Sequence, residues 1–112
     1  MTAVVDDMIW LEVGTLDDIP RQGARVLKRE GGDIAVFRTA ADEVFALLNR
    51  CPHRGGPLSE GILFGRTIVC PLHNWCLDLA SGEAKGPDEG CAPAYATRVE
   101  AGRVFVCTHS VS

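Results

Sequence analysis

Val44–Gly61 reads VFALLNRCPHRGGPLSEG, and Thr67–Leu79 reads TIVCPLHNWCLDL. Both stretches begin as apolar strand-like runs and break abruptly into Pro, Gly and polar residues. The broken parts, Arg50–Gly61 and Cys70–Trp75, read as loops that follow directly on strands. Each loop carries one Cys and one His: Cys51 with His53, and Cys70 with His73.

Working outward, the rest of the chain repeats short apolar stretches separated by turn residues. Candidate strands are Met8–Val13, Ala24–Lys28, Ile34–Arg38, Val44–Asn49, Thr67–Cys70, Cys76–Leu79, Tyr95–Glu100 and Arg103–Cys107. Val44, Ala46 and Leu48 alternate with Phe45 and Leu47, and Val104 and Val106 alternate with Phe105 and Cys107. This period of two belongs to strands. Gly31-Gly32-Asp33, Ser81-Gly82 and Ala101-Gly102 supply turns. Asp17-Asp18-Ile19-Pro20 allows one helical turn, which Pro20 limits. Gly82–Pro93 has the composition of a surface connection. No apolar repeat keeps helical spacing for three turns, so the expected fold class is all-β, a sandwich or small barrel of antiparallel sheets.

At 112 residues the chain has room for one domain, expected to span 1–112. Hydrophobic residues make up 46%, enough for a core. A net charge of −4 argues against nucleic acid and against an anionic membrane as partners. No apolar run approaches the ~20 residues of a membrane span, and MTAVVDDMIWLEV lacks the basic start of a signal peptide. A cytoplasmic protein is expected. Five cysteines in a reducing compartment do not make a disulfide framework, which leaves metal binding as a use for some of them.

One residue separates Cys51 from His53, two separate Cys70 from His73, and sixteen lie between His53 and Cys70. Two thiolates and two imidazoles suit a Cys2His2 zinc site or a [2Fe–2S] centre with sulfur ligands on one iron and imidazoles on the other. Zinc fingers place both cysteines first and both histidines after them. Here each loop brings one of each, the order that suits the asymmetric iron centre. Cys51-Pro-His53 and Cys70-Pro-Leu-His73 resemble the C-x-H…C-x-x-H boxes of the Rieske family. That resemblance implies an all-β fold with cluster loops at one tip. It also implies one Rieske-type [2Fe–2S] cluster on Cys51, His53, Cys70 and His73, and single-electron transfer. Cys76 and Cys107 read as packing residues, Cys91 as a loop residue, and His109 as part of a fraying tail. Gly55 and Gly56 suit a tight turn whose N–H groups can face sulfide.

Within the Rieske family, CPLHNW, the D-L-A-S-G-E turn and GPDEGC followed by Y-x-x-R-V resemble the small subunit of assimilatory NAD(P)H-dependent nitrite reductase. That likeness implies a non-catalytic electron-relay subunit beside a large subunit bearing sirohaem, flavin and [4Fe–4S], in reduction of nitrite to ammonia. The chain has no G-x-G-x-x-G for a nicotinamide nucleotide. The alternatives are a Rieske ferredoxin serving an aromatic-ring dioxygenase and, from another class, a cluster-free or zinc-bearing interaction module.

High-potential relatives add a disulfide between the cluster loops and Ser and Tyr donors near sulfur. The corresponding positions here hold Gly56 and Leu72, and Trp75 and Leu77. Fewer donors to sulfur leave the reduced, more negative cluster less stabilised. A redox titration of the holoprotein is expected to give roughly −150 mV to 0, the low end of the Rieske range; a midpoint above about +100 mV would contradict that assignment.

Overall fold

The protein is described from a computed structural model covering residues 10–29, 32–52, 56–71, 75–85 and 90–110. Among the described residues nine strands run β1 (Trp10–Thr15), β2 (Gly23–Leu27), β3 (Ile34–Arg38), β4 (Val44–Leu48), β5 (Ile62–Phe64), β6 (Thr67–Val69), β7 (Cys76–Asp78), β8 (Ala94–Glu100) and β9 (Arg103–Ser110). Two single 3-10 turns, Leu16–Asp18 and Leu58–Glu60, are the helical structure among the described residues. The all-β expectation is met.

The strands form two antiparallel sheets. Six lie in the order β1-β9-β8-β4-β3-β2, and three in the order β5-β6-β7. β3 and β4 are interior strands of the large sheet, and the IAVF run of β3 is buried on both faces. That double burial explains a continuous apolar stretch where an edge strand would alternate. Ile34, Val36, Val44 and Ala46 pack on one side with Val13, Ile19, Val104 and Val106. Ala35, Phe37 and Leu47 face the other side, where they meet Leu63, Ile68, Leu77 and Leu79 of the small sheet and its turn. The alternation in β4 thus assigns its residues to two separate cores.

Arg38 is the charged exception on β3. Its Nη1 donates to the carbonyls of Leu16 and Ile19, at 3.0 and 2.9 Å, and its Nε donates to Asp42 at 2.9 Å. The guanidinium therefore satisfies the carbonyls left by the 3-10 turn that covers the sheet end. The same turn meets the β8–β9 hairpin, where the Leu16 N–H donates to the Gly102 carbonyl at 2.8 Å; Ala101 and Gly102 both take positive φ, 51° and 79°, as a two-residue hairpin requires.

Eight of the nine strands found among the described residues are anticipated by the sequence, β3 with the expected bounds and the others with one or both ends shifted by one to three residues. Met8 and the Gly31 part of the first turn lie outside the described residues. Ile62–Phe64 is absent from the candidate strands, because three residues are too few to show a period. The expected fraying at His109 is replaced by strand: β9 continues to Ser110, which pairs with Tyr95. Cys107 is buried, as packing requires, and Cys91 is exposed.

Replacing Arg38 with Met should leave the buried Ile19 carbonyl without its donor and cost about 2–4 kcal/mol in urea denaturation. The Arg38 hydrogen bond, followed by that from Arg21, holds the Asp42 carboxyl below its usual range. A depressed carboxylate contributes stability above its unfolded pKa and loses that contribution as pH falls through the folded one. Stability should therefore decline as acid protonates Asp42, and Asp42→Asn should flatten that part of the pH profile.

Candidate metal centre

Cys51 follows β4 after only Asn49 and Arg50, and Cys70 is the residue directly after β6. Both are buried, at 2% and 0% exposure. The backbone N–H of Cys51 donates to the carbonyl of Gly56 at 2.8 Å, and that of Cys70 donates to the carbonyl of Trp75 at 2.7 Å. In each case the acceptor lies five residues along the chain. Each cysteine therefore opens a loop that closes back on its own backbone. His53 and His73 fall inside these two loops, and both lie outside the described residues.

The two cysteines belong to one apolar cluster with Leu58, Leu63, Ile68 and Leu77, against which Trp75 also packs. Polar groups fix the first loop from outside. Asn49 Nδ2 donates to Ser59 Oγ at 3.0 Å, and its Oδ1 accepts from the Ser59 N–H at 2.8 Å. The Asn49 N–H donates to the Asp33 carbonyl at 2.8 Å, tying this clamp to the start of β3. The Asp33 carboxyl is itself held below its usual range by the Arg29 N–H and then by Lys28. A 270 Å³ cavity beside the clamp is lined by Gly32, Asp33, Leu48, Asn49 and Arg50.

A third loop reaches the same end of the molecule. Gly82–Pro93 reads as a surface connection, yet its base is tied down by bridges between Leu77 and Ala84 and between Glu83 and Cys91. Gly82 has φ +78°, and a Cβ there would collide with the carbonyl oxygen of Ala92. A Cβ on Gly90 would stand 3.1 Å from Pro52 and 3.6 Å from Trp75. The third loop therefore abuts a residue of each Cys-His loop. Its closest approach depends on long-range register, which its composition does not show. Residues 86–89 lie outside the described ones.

Two buried thiols in a dry apolar setting, at the heads of equivalently closed loops, are suitable sulfur donors for iron. The comparisons agree. Residues 9–96 match the Rieske [2Fe-2S] domain. The chain belongs to the Rieske family. Its cofactor is accordingly a Rieske-type [2Fe–2S] cluster, and its work is electron transfer.

Among individual relatives, the ferredoxin component of the naphthalene 1,2-dioxygenase/salicylate 5-hydroxylase systems of a Ralstonia species is 33% identical. That alignment spans 87% of this chain and 93% of the relative. A 4beta-methylsterol monooxygenase of Methylococcus capsulatus is 51% identical over 59 residues, but the match takes in only 16% of its length. Among solved structures, the complex of reduced oxygenase and oxidized ferredoxin in carbazole 1,9a-dioxygenase contains a chain with TM-score 0.83 and 28% identity. It covers 94% of this Rieske protein and 98% of that chain. A chain described as an NADH-dependent nitrite reductase small subunit from Mycobacterium tuberculosis has TM-score 0.81 and 25% identity, covering 93% and 98%.

Asn49→Ala should remove the clamp on the first Rieske loop and destabilise the protein by about 1–3 kcal/mol. In the holoprotein, loss of visible absorbance in urea should shift to lower denaturant, and Ser59→Ala should shift it less because the Ser59 N–H remains.

Proposed function

We propose that the chain is a single Rieske domain spanning 1–112, acting as a one-electron carrier of the ferredoxin type that supplies an oxygenase. Cys51, His53, Cys70 and His73 hold its cluster. The observation carrying this reading is the pair of buried cysteines at the heads of two identically closed loops, each followed in sequence by a histidine. Support for the ferredoxin role comes from the near full-length match to a dioxygenase ferredoxin component and from the carbazole dioxygenase ferredoxin fold. When bound, the cluster takes up and releases single electrons. The chain's residues bind it, exclude water through the apolar cluster, and present the loops at one end of the molecule.

A second reading is the electron-relay small subunit of an NAD(P)H-dependent nitrite reductase, beside a large sirohaem and flavin subunit. The CPLHNW and GPDEGC stretches favour it, as does the M. tuberculosis neighbour. Both readings use the same four ligands and the same one-electron chemistry. They differ in the protein that receives the electron. A cytoplasmic location suits both.

Anaerobically prepared protein should contain two irons and two labile sulfides per cluster and give a Rieske electron-paramagnetic signal after dithionite. Cys51→Ser and Cys70→Ser should each abolish that signal while leaving a folded β-protein by circular dichroism. Stoichiometric zinc without sulfide would overturn the carrier reading. Reconstitution with a ring-hydroxylating oxygenase or a sirohaem nitrite reductase would decide the acceptor, the productive pair being the one whose turnover depends on this chain.

A further inference from the structure

The small sheet has two faces. Leu63, Ile68 and Leu77 point inward, where all three are buried. Strand alternation places Ile62, Phe64, Thr67, Val69, Cys76 and Asp78 on the other face. The register arranges them in two rows, Ile62–Val69–Cys76 and Phe64–Thr67–Asp78. A solvated sheet face ordinarily carries polar residues. Four of these six are apolar. Ile62 and Phe64 are 62% and 66% exposed, two of the three exposed large hydrophobics among the described residues. They lie on β5, an edge of the sheet.

We propose that this outward face is the docking surface for the electron-transfer partner, a redox protein whose contact surface has an apolar centre within a basic rim. The proposal rests on the electron-carrier reading above and adds where the partner sits. Three observations support that occupant. The Ile62–Val69 pair stands immediately before Cys70, so a partner seated on it lies beside a loop that holds the cluster. Exposed to this degree, one Ile and one Phe present on the order of 250 Å², well short of the ~800 Å² per partner of a stable interface. That size fits a transient encounter rather than a permanent dimer. Charge selects the rim: the chain carries −4 overall, Glu60 beside β5 is exposed, Asp78 lies on the face, and of the nearby cations Arg66 is paired with Glu43 while Lys85 donates to Thr67 Oγ1 at 2.6 Å, which leaves the border acidic on balance.

The test uses dithionite-reduced holoprotein and the double variant Ile62→Thr/Phe64→Thr. Threonine retains strand propensity, and neither replaced side chain belongs to the core. Two oxidants are compared by stopped flow: ferric cytochrome c, a basic redox protein with an apolar haem edge, and ferricyanide, which needs no docking surface. The expected result is a roughly five- to tenfold slower reaction of the variant with cytochrome c. The ferricyanide rate should be equal for the two proteins, and the wild-type cytochrome c rate should fall with added salt. Equal cytochrome c rates would overturn the proposal. So would a concentration-dependent dimer in sedimentation velocity that the variant lacks, which would assign the face to a second copy. Failure of the wild-type protein to reduce even ferricyanide would instead sink the carrier reading itself.

Discussion

The inward row of the small sheet is the contact on which the site depends. Leu63, Ile68 and Leu77 are too few to make a core alone, and three strands of three residues are too short to stand alone in water. They are buried because β3 and β4 present Ala35, Phe37 and Leu47 to them. This packing draws the end of β6 toward the end of β4. Cys70 and Cys51, which begin where those strands stop, therefore enter one apolar cluster although nineteen positions apart in sequence.

Around that contact, three loops are fixed by different means. Backbone hydrogen bonds from Cys51 to Gly56 and from Cys70 to Trp75 close the first two. The Asn49–Ser59 pair braces the first from the side. The third is set by two bridges at its base and by close approach of Gly90 to Pro52 and Trp75. Binding groups held by backbone and packing are already ordered before a ligand arrives, so less entropy is lost on binding. The Arg66–Glu43 pair, with Arg66 also over the Phe45 ring at 5.8 Å, adds a polar tie between the two sheets.

The ferredoxin and nitrite reductase readings share this arrangement because both require one cluster at one end of a rigid β-domain. On the docking proposal, the acceptor is chosen by surface instead. The face built from Ile62, Phe64, Val69 and Cys76 lies next to the loop that Cys70 opens and departs from the polar composition expected of a solvated sheet. Specificity of this kind can change without altering a ligand, which is why one fold serves several redox systems.

The all-β class, most strands and the four candidate ligands are legible in the amino-acid pattern alone. Period-two alternation and paired Cys-His spacing are local properties, written within a few residues. Ala101-Gly102 is likewise recognisable as a turn from its two residues alone. Strand β5 was hidden because three residues carry too little periodicity, and the third loop was taken for plain surface because Gly, Pro and charge describe many loops alike. Only the tertiary structure decided that Cys51 and Cys70 share one buried cluster, that Gly90 meets both Cys-His loops, and that an apolar row faces outward beside Cys70. Those facts follow from which strands pair and which faces are buried, and pairing between distant strands is set by the whole packed chain.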